Sequence, residues 1–349
     1  MKTLIKLMSI VSTGMLFTTG AVAQSNLSAE TSAPTGVPGT AIVSLAEVAS
    51  ISGVANIQVK GGQTLTNSLQ NLAEGTIDIA AVPGLLPFLM SKGAGPYAAL
   101  GKEKGAELAS KVAMLYTYRF ALYGLGSYDS NDFNGWEDID GATVFNGPPR
   151  GAALTKSRGL ITLATGHKES EGYTGVQTNW GQAVKTISEG SVDAFILPMS
   201  FPDARVGQIA ASGAVTVYSV PKDIYEGEKG QKYGKAPGVV MLRLPIEDGM
   251  LGPNITVSSE DGVFRGYGDV GGDAVNVSMD EELAYALTKA FLDNISVYEA
   301  KAPFMSSSWV GEIDPKFTNM CGPSPVKYHL GAVRAWEEAG YTVPDCAKP

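Results

Sequence analysis

The chain reads as a two-lobed α/β protein, each lobe a mixed sheet flanked by helices, with hinge strands between the lobes. Three observations predict this. First, a unit recurs. Leu65–Ala73 has helical spacing and is followed by Glu74-Gly75-Thr76-Ile77-Asp78, a strand and Pro83. The same order returns as a helix, Glu189-Gly190-Ser191-Val192-Asp193, a strand and Pro198. From Glu74 to Glu189 the offset is 115 residues. A solenoid would repeat every 20–50 residues or so, so this spacing implies two related lobes. Second, Met114 to Leu125 (MLYTYRFALYGL) is an aromatic, strand-like run long enough to pass from one lobe to the other. Third, Ala142 to Ile161 (ATVFNGPPRGAALTKSRGLI) starts as a buried strand, breaks at Asn146-Gly147-Pro148-Pro149, and restarts as a helix near Gly151. In open α/β sheets, the loop after a strand's carboxyl end is where ligands bind. The next helix aims unpaired N–H groups and a partial positive charge at that place. Arg150 adds a planar, permanently charged fork, and the stretch reads either as one wall of an anion-binding cleft or as an ordinary strand-to-helix turn with a solvated arginine.

Residues 1–23 form a secretory signal peptide: Lys2 and Lys6 precede a short apolar run, and Ala21-Val22-Ala23 is a small-x-small cleavage site. No cysteine follows the site, which argues against a lipid anchor. No later stretch approaches the roughly 18 apolar residues of a membrane span. The expected mature protein is therefore exported, soluble and periplasmic. The roughly 325 residues that remain suffice for two lobes. With 26 Lys+Arg against 35 Asp+Glu, the net charge is −9, which argues against nucleic acid or an anionic membrane surface as a partner. An anion site would be a local positive feature in an acidic chain. In an oxidising compartment Cys321 and Cys346 are expected to form a disulfide. The two histidines, His167 and His329, stand at no ligand spacing from them, so no metal site is expected.

In chain order, residues 24–40 read as a polar leader ending in a turn. Ala41–Ile51 is a short helix or strand; its periodicity does not decide. Asn56–Lys60 is a strand stopped by Gly61-Gly62. The helix Leu65–Ala73 carries Leu65, Leu69 and Leu72 on one face and ends at Gly75. Thr76–Val82 is a buried strand. Asp132–Asp140 is an acidic surface loop. After the second copy of the unit come a strand at Ala214–Val220, a charged loop at Ile224–Ala236, and a strand at Val239–Leu244. Gly266–Val277 is the return crossing. Ser278-Met279-Asp280-Glu281 fits a capping box opening an amphipathic helix with Leu283, Ala286, Leu287, Ala290 and Phe291 inward. Val326–Ala339 is the last helix. Lobe one then comprises 41–120 and 278–349, and lobe two 121–277.

Enzymatic motifs fail on their context. Gly266-Tyr267-Gly268-Asp269-Val270-Gly271 matches G-x-G-x-x-G by letter, but a strand follows it, and Asp269 and Asp273 would repel a pyrophosphate. Gly95–Lys102 has one residue too many for a P-loop, and Glu103 stands where a hydroxyl should hold magnesium. There is no G-x-S-x-G elbow. His167 reads as solvated, and His329 as sitting on the last helix's surface or packing locally. No catalytic residue and no cofactor is expected, and the chain is not read as an enzyme.

A binding cleft remains. Lobe one offers Gly61-Gly62-Gln63-Thr64 with Asn67, and the loop after Pro83. Lobe two offers Asn146, Pro149, Arg150, Gly151 and Ala152, and the loop Pro198–Pro202 with Met199 and Phe201. Thr64 also reads as a plain N-cap, and Phe201 equally as core. Arg119 is expected as an exposed strand-edge arginine, with the cleft as the alternative.

At these residues the chain resembles a periplasmic solute-binding protein, and more narrowly the TAXI family of TRAP transporter solute-binding subunits. The resemblance spans most of the mature chain. It rests on the Gly-Gly-Gln-Thr loop with its helix and EG-x-I-D strand, on Asn146-Gly147-Pro148-Pro149-x-Gly151 against the family's Gly-Pro-Pro-Gly-Ser-Gly loop, and on Pro198-x-x-x-Pro202. It rests also on Gly266-Tyr267 before a strand and capped helix, and on the tail Lys327–Ala332 with Glu337-x-x-Gly340. Two places depart from the pattern. The family's early Gly-Gly-x-Tyr-Tyr-Pro loop is not evident near Thr35–Gly39, and Arg150-Gly151-Ala152-Ala153 replaces the usual small hydroxyl residues. The resemblance implies the type II periplasmic-binding-protein fold, a monomer that captures a small organic anion (a carboxylate) between its lobes, and delivery to the membrane permease of a TRAP transporter. An enzyme on the same scaffold and a sensor feeding a membrane receptor are the alternatives.

Overall fold

The computed structural model describes residues 24–33 and 36–349. The expected signal peptide lies outside the described residues. The first element corrects the leader: Ser25–Glu30 is a strand, β1. Leu27 and Ala29 are buried beneath it, and β2 and β3 pair with it in parallel on either side. The undecided segment is a helix, α1 (Val37–Ile51), with Ala41, Ile42, Leu45, Val48 and Ala49 buried at helical spacing. Then follow β2 (Ala55–Lys60), α2 (Leu65–Glu74), β3 (Ile79–Pro83), α3 (Leu85–Lys92) and α4 (Gly101–Ala109). The aromatic run becomes β4 (Val112–Tyr128), a strand of 17 residues buried along its whole length.

The second half opens with β5 (Thr143–Gly147), α5 (Ala152–Thr165), β6 (Thr174–Gln177), α6 (Trp180–Ser188), β7 (Ala194–Met199), α7 (Ala204–Ala210) and β8 (Val215–Tyr218). The repeat is longer than the sequence disclosed. Helices α1 and α5, helices α2 and α6, and strands β3 and β7 each start 115 residues apart. Gly75 and Gly190, the glycines of the two EG pairs, both take the left-handed conformation, at φ +76° and +70°.

The expected charged loop instead contains two short helices, α8 (Lys222–Glu226) and α9 (Glu228–Tyr233). After them come β9 (Val239–Pro245), β10 (Ile255–Ser258) and β11 (Val263–Asn276). Helix α10 (Glu281–Leu292) is capped by Asp280, whose carboxylate accepts the Leu283 N–H at 3.0 Å, rather than by Ser278. Helices α11 (Ile295–Ala300) and α12 (Pro315–Thr318) lead to β12 (Lys327–Tyr328) and α13 (Leu330–Glu338), which starts later than expected. Cys321 and Cys346 are bonded, with Cα atoms 5.3 Å apart, so the final segment is tied back to the body.

One mixed sheet runs through the molecule in the order β2-β1-β3-β11-β4-β7-β5-β6. Its centre is the antiparallel pair β4 and β11, and each of these strands changes partner along its length. The end of β11 pairs with β3 and its beginning with β9. The beginning of β4 pairs with β12 and its end with β7 and β8. The change falls at a bulge between Asp269 and Val270. The rejected glycine motif lies here, and the close approach of strands explains two of its glycines: a Cβ on Gly271 would sit 2.2 Å from the Val82 carbonyl oxygen, and one on Gly268 would sit 2.8 Å from that of Ala121. One apolar core gathers α1, α2, α10 and α13 around the first group of strands. Two further cores lie around the second group, one including Phe145, Ile187 and Phe264, the other Val144, Ile161 and Tyr267. This is a two-lobed α/β architecture of mixed sheet and flanking helices, with β4 and β11 as the crossing strands.

Candidate functional site

In each lobe the parallel strands end where helices begin. Helices α1, α2, α3 and α5 start from Gly36, Thr64, Gly84 and Gly151; none has a side-chain cap or an acid in its first turn. Helix α7, by contrast, is capped by Asp203, and α6 by Asn179. The uncapped ends keep free N–H donors and positive dipole ends. Two of them meet: a Cβ on Gly151 would lie 3.8 Å from Thr66 Cγ2, and Ala152 packs against the first lobe's core. The start of α5 therefore faces the first turn of α2.

The expected residues divide. Thr64, Asn67, Pro149 and Arg150 are exposed, and Gly151 and Ala152 are half-buried at the start of α5. Thr64 stands at the N-cap without making the side-chain bond of a cap. Gln63 holds the loop, its side-chain amide donating to the Gly61 carbonyl at 2.9 Å and its backbone N–H to that of Thr31 at 2.9 Å. Phe201 is half-buried and packs edge-on against Phe264, ring centres 6.0 Å apart. Two residues turn away from the cleft. Asn146 is fully buried, donating to Glu169 at 2.8 Å and accepting from Gln177 at 2.8 Å. Met199 belongs to a core.

Arg119 corrects its expectation: only 3% of it is exposed. It sits where β4 changes partners. Its Nη2 donates to the Ser307 carbonyl and, at 3.0 Å, to the Ser307 hydroxyl. Its guanidinium carbon lies 5.8 Å from the Phe201 ring centre and 5.3 Å from that of Trp309. Among the described residues no carboxylate pairs with it. Burial lowers its pKa to about 10, which leaves it cationic at neutral pH. The sequence signal was available: an arginine inside an apolar run that makes a strand buried on both faces. Arg205 stands near the same loop, 4.6 Å from the Trp180 ring centre, its pKa also lowered by burial.

Among the described residues, the other buried lysine and arginine side chains, Lys156 and Arg265, each meet a carboxylate. Lys156, on the second turn of α5, meets Asp269 of β11 at 2.6 Å, and the Tyr123 hydroxyl donates to the same carboxylate at 2.7 Å. Asp273 accepts from the hydroxyls of Tyr116 and Tyr118, at 2.5 and 2.7 Å; its burial pushes its pKa up to about 7. Arg265 donates to Asp261 at 2.9 Å beside a concavity of about 340 Å³ walled by Trp136 and Tyr218, which includes none of the residues above. His329 is buried at the cap of α13, where Nδ1 accepts the Gly331 N–H at 3.2 Å. Among the described residues no three metal-ligating side chains come together, and no helix is long and apolar enough to cross a membrane.

Solved structures similar to this chain include three binding proteins. A TRAP periplasmic solute binding protein from Rhodobacter sphaeroides has 12% identity and a TM-score of 0.46, over 90% of each chain. One from Ralstonia eutropha H16, with bound (S)-2-acetolactate, has 13% identity and a TM-score of 0.45, over 90% of this chain and 91% of that one. The aliphatic sulphonate binding protein SsuA from Escherichia coli has 13% identity and a TM-score of 0.39; the match covers 55% of this chain and spans 58% of SsuA. No curated protein matches. The model of the NMT1-like family matches residues 37–340, and the protein belongs to that family.

Proposed function

We propose that the protein captures a small organic anion, a carboxylate, in the cleft between its lobes. Lobe one comprises residues 41–120 and 278–349 together with β1, and lobe two residues 121–277. The single observation that carries this reading is the meeting of α2 and α5 through ends that have neither caps nor acids. Two positive dipole ends brought together favour an anion between them. Thr64, Asn67, Pro149, Arg150, Gly151 and Ala152 border it, Gln63 shapes the first loop, and Phe201 supplies an apolar wall. Closing the lobes around the solute is a population shift driven by contacts with both.

The protein is exported by its signal peptide to the periplasm and works there as a monomer. It resembles the TAXI subfamily, and on that resemblance it hands its solute to the permease of a TRAP transporter. A thermal-shift screen of the mature protein against carboxylates, sulfonates, amino acids and neutral sugars tests the reading. A ligand that binds only the folded state raises the melting temperature by mass action. The expected result is a shift with small anions and none with sugars, the solute being recovered unchanged. Conversion of the solute would make the protein an enzyme instead.

A further inference from the structure

We infer that the solute is an anion carrying no ammonium or other cationic group, and that Arg119 is the side chain that holds its charge. The inference rests on the anion-capture reading and narrows it. Arginine offers five N–H donors and no acceptor. In Arg119 only Nη2 finds acceptors, both on Ser307; among the described residues Nε and Nη1 have none. A buried charge is ordinarily paired. Lys156 has Asp269 and Arg265 has Asp261, but Arg119 has no carboxylate. The guanidinium lies near the faces of two rings, Phe201 on the loop after β7 and Trp309. Ser307, which holds it, also donates to the Phe201 carbonyl at 3.5 Å. Its missing counter-ion is the solute's anionic group, with an apolar body beside the two rings.

The exclusion of a cationic group comes from the carboxylates. Among the described residues, the segments at the strand ends and the crossing are 30–33, 61–67, 84–88, 117–121, 147–153, 177–182, 199–205, 236–239, 268–271 and 303–313. They contain four carboxylates: Glu30, Asp203, Asp269 and Glu312. Each is engaged. Glu30 pairs with Lys60 and Asn71. Asp203 accepts the N–H groups of Ser200, Arg205 and Val206. Asp269 holds Lys156 and Tyr123. Glu312 accepts those of Ile313 and Asp314 at 2.7 Å each. Asp203 and Glu312 have no cationic partner, but both already hold backbone N–H groups of their loops, so an ammonium group brought here would give up its water shell for a carboxylate that other donors share.

The test compares matched pairs by calorimetry: phenylpyruvate with phenylalanine, and 2-oxoglutarate with glutamate. Phenylacetate and benzenesulfonate serve as simple anions. We expect at least one ammonium-free anion to bind, and each amino acid to bind at least tenfold more weakly than its oxo partner. Arg119→Gln should weaken the best anion at least tenfold, with Arg119→Lys intermediate, while Arg150→Gln does less. An amino acid binding as well as its oxo acid, or an unchanged affinity in folded R119Q, would overturn the inference and leave anion capture standing. Failure of every anion on the wild type would overturn both. Should R119Q not fold, folded R119K decides the role of Arg119, an unchanged affinity overturning it, and the matched pairs on the wild type decide the exclusion of a cationic group.

Discussion

Asp78 holds Ser28 as Asp193 holds Thr143. The Asp78 carboxylate accepts the Ser28 backbone N–H at 2.8 Å, and Asp193 accepts that of Thr143 at 2.7 Å, each across 50 residues. In return the Asp78 N–H donates to the Ser28 carbonyl, and the Asp193 N–H to that of Thr143. The aspartate of each EG-x-x-D segment thus ties the start of one parallel strand to its neighbour, once per lobe. Asp78 also accepts from the Ser28 hydroxyl at 2.8 Å. Asp78→Ala should therefore cost about 1–3 kcal/mol, and Asp193→Ala, on an exposed residue with one such bond, should fall at or below the lower end. Urea denaturation of the two variants gives the comparison; equal, negligible losses would refute the role.

The buried pair Lys156–Asp269 links α5 to the crossing strand. Lys156→Met leaves Asp269 buried and unpaired, and should cost about 3–5 kcal/mol. Replacing both by apolar residues should recover much of that loss. A double-mutant cycle by chemical denaturation measures the coupling, and additive losses would mean that the two charges do not stabilise one another.

Asp273 predicts a pH dependence of stability. Its folded pKa, about 7, lies above the ordinary carboxylate value of 3.8 because the group is buried. Between these values the unfolded chain has released this proton and the folded chain retains it, so stability falls as pH rises. The contribution is complete below pH 3.8 and lost as pH rises through about 7. The slope for one proton approaches about 1.4 kcal/mol per pH unit. Asp273→Asn should remove this part of the profile between pH 4 and 7 or thereabouts. An identical profile for the variant would show that Asp273 is ionised throughout.

Reduction of Cys321–Cys346 should lower stability. The bridge closes a loop with a sequence separation of 25, for which the chain-entropy relation gives about 3.5 kcal/mol. Melting with and without reductant measures it. Free-thiol labelling of the native, oxidised protein would contradict the bridge.

The layout was legible where patterns are local. Helical spacing at Leu65, Leu69 and Leu72, glycine stops, and the continuous apolar run of β4 located elements in both lobes. Strand β1 was not legible: Ser25–Glu30 has only Leu27 and Ala29 to alternate with polar residues, and its structure comes from two distant strands pairing with it. The orientation of loop residues was not legible either. Asn146, near the end of β5, and Arg150, four residues on in the turn, differ: one faces Glu169 inside and the other faces water. Arg119 was seen but read outward, because its neighbours Phe201, Ser307 and Trp309 are far away in sequence and meet it only through the fold.

Capture of an anion without conversion is tested most directly by calorimetric titration of the mature protein with the anion giving the largest thermal shift, followed by recovery of the solute. We predict saturable binding of one anion per chain, with the solute returned chemically unchanged. Saturable binding of a neutral sugar in place of any anion, or recovery of a converted product, would contradict it.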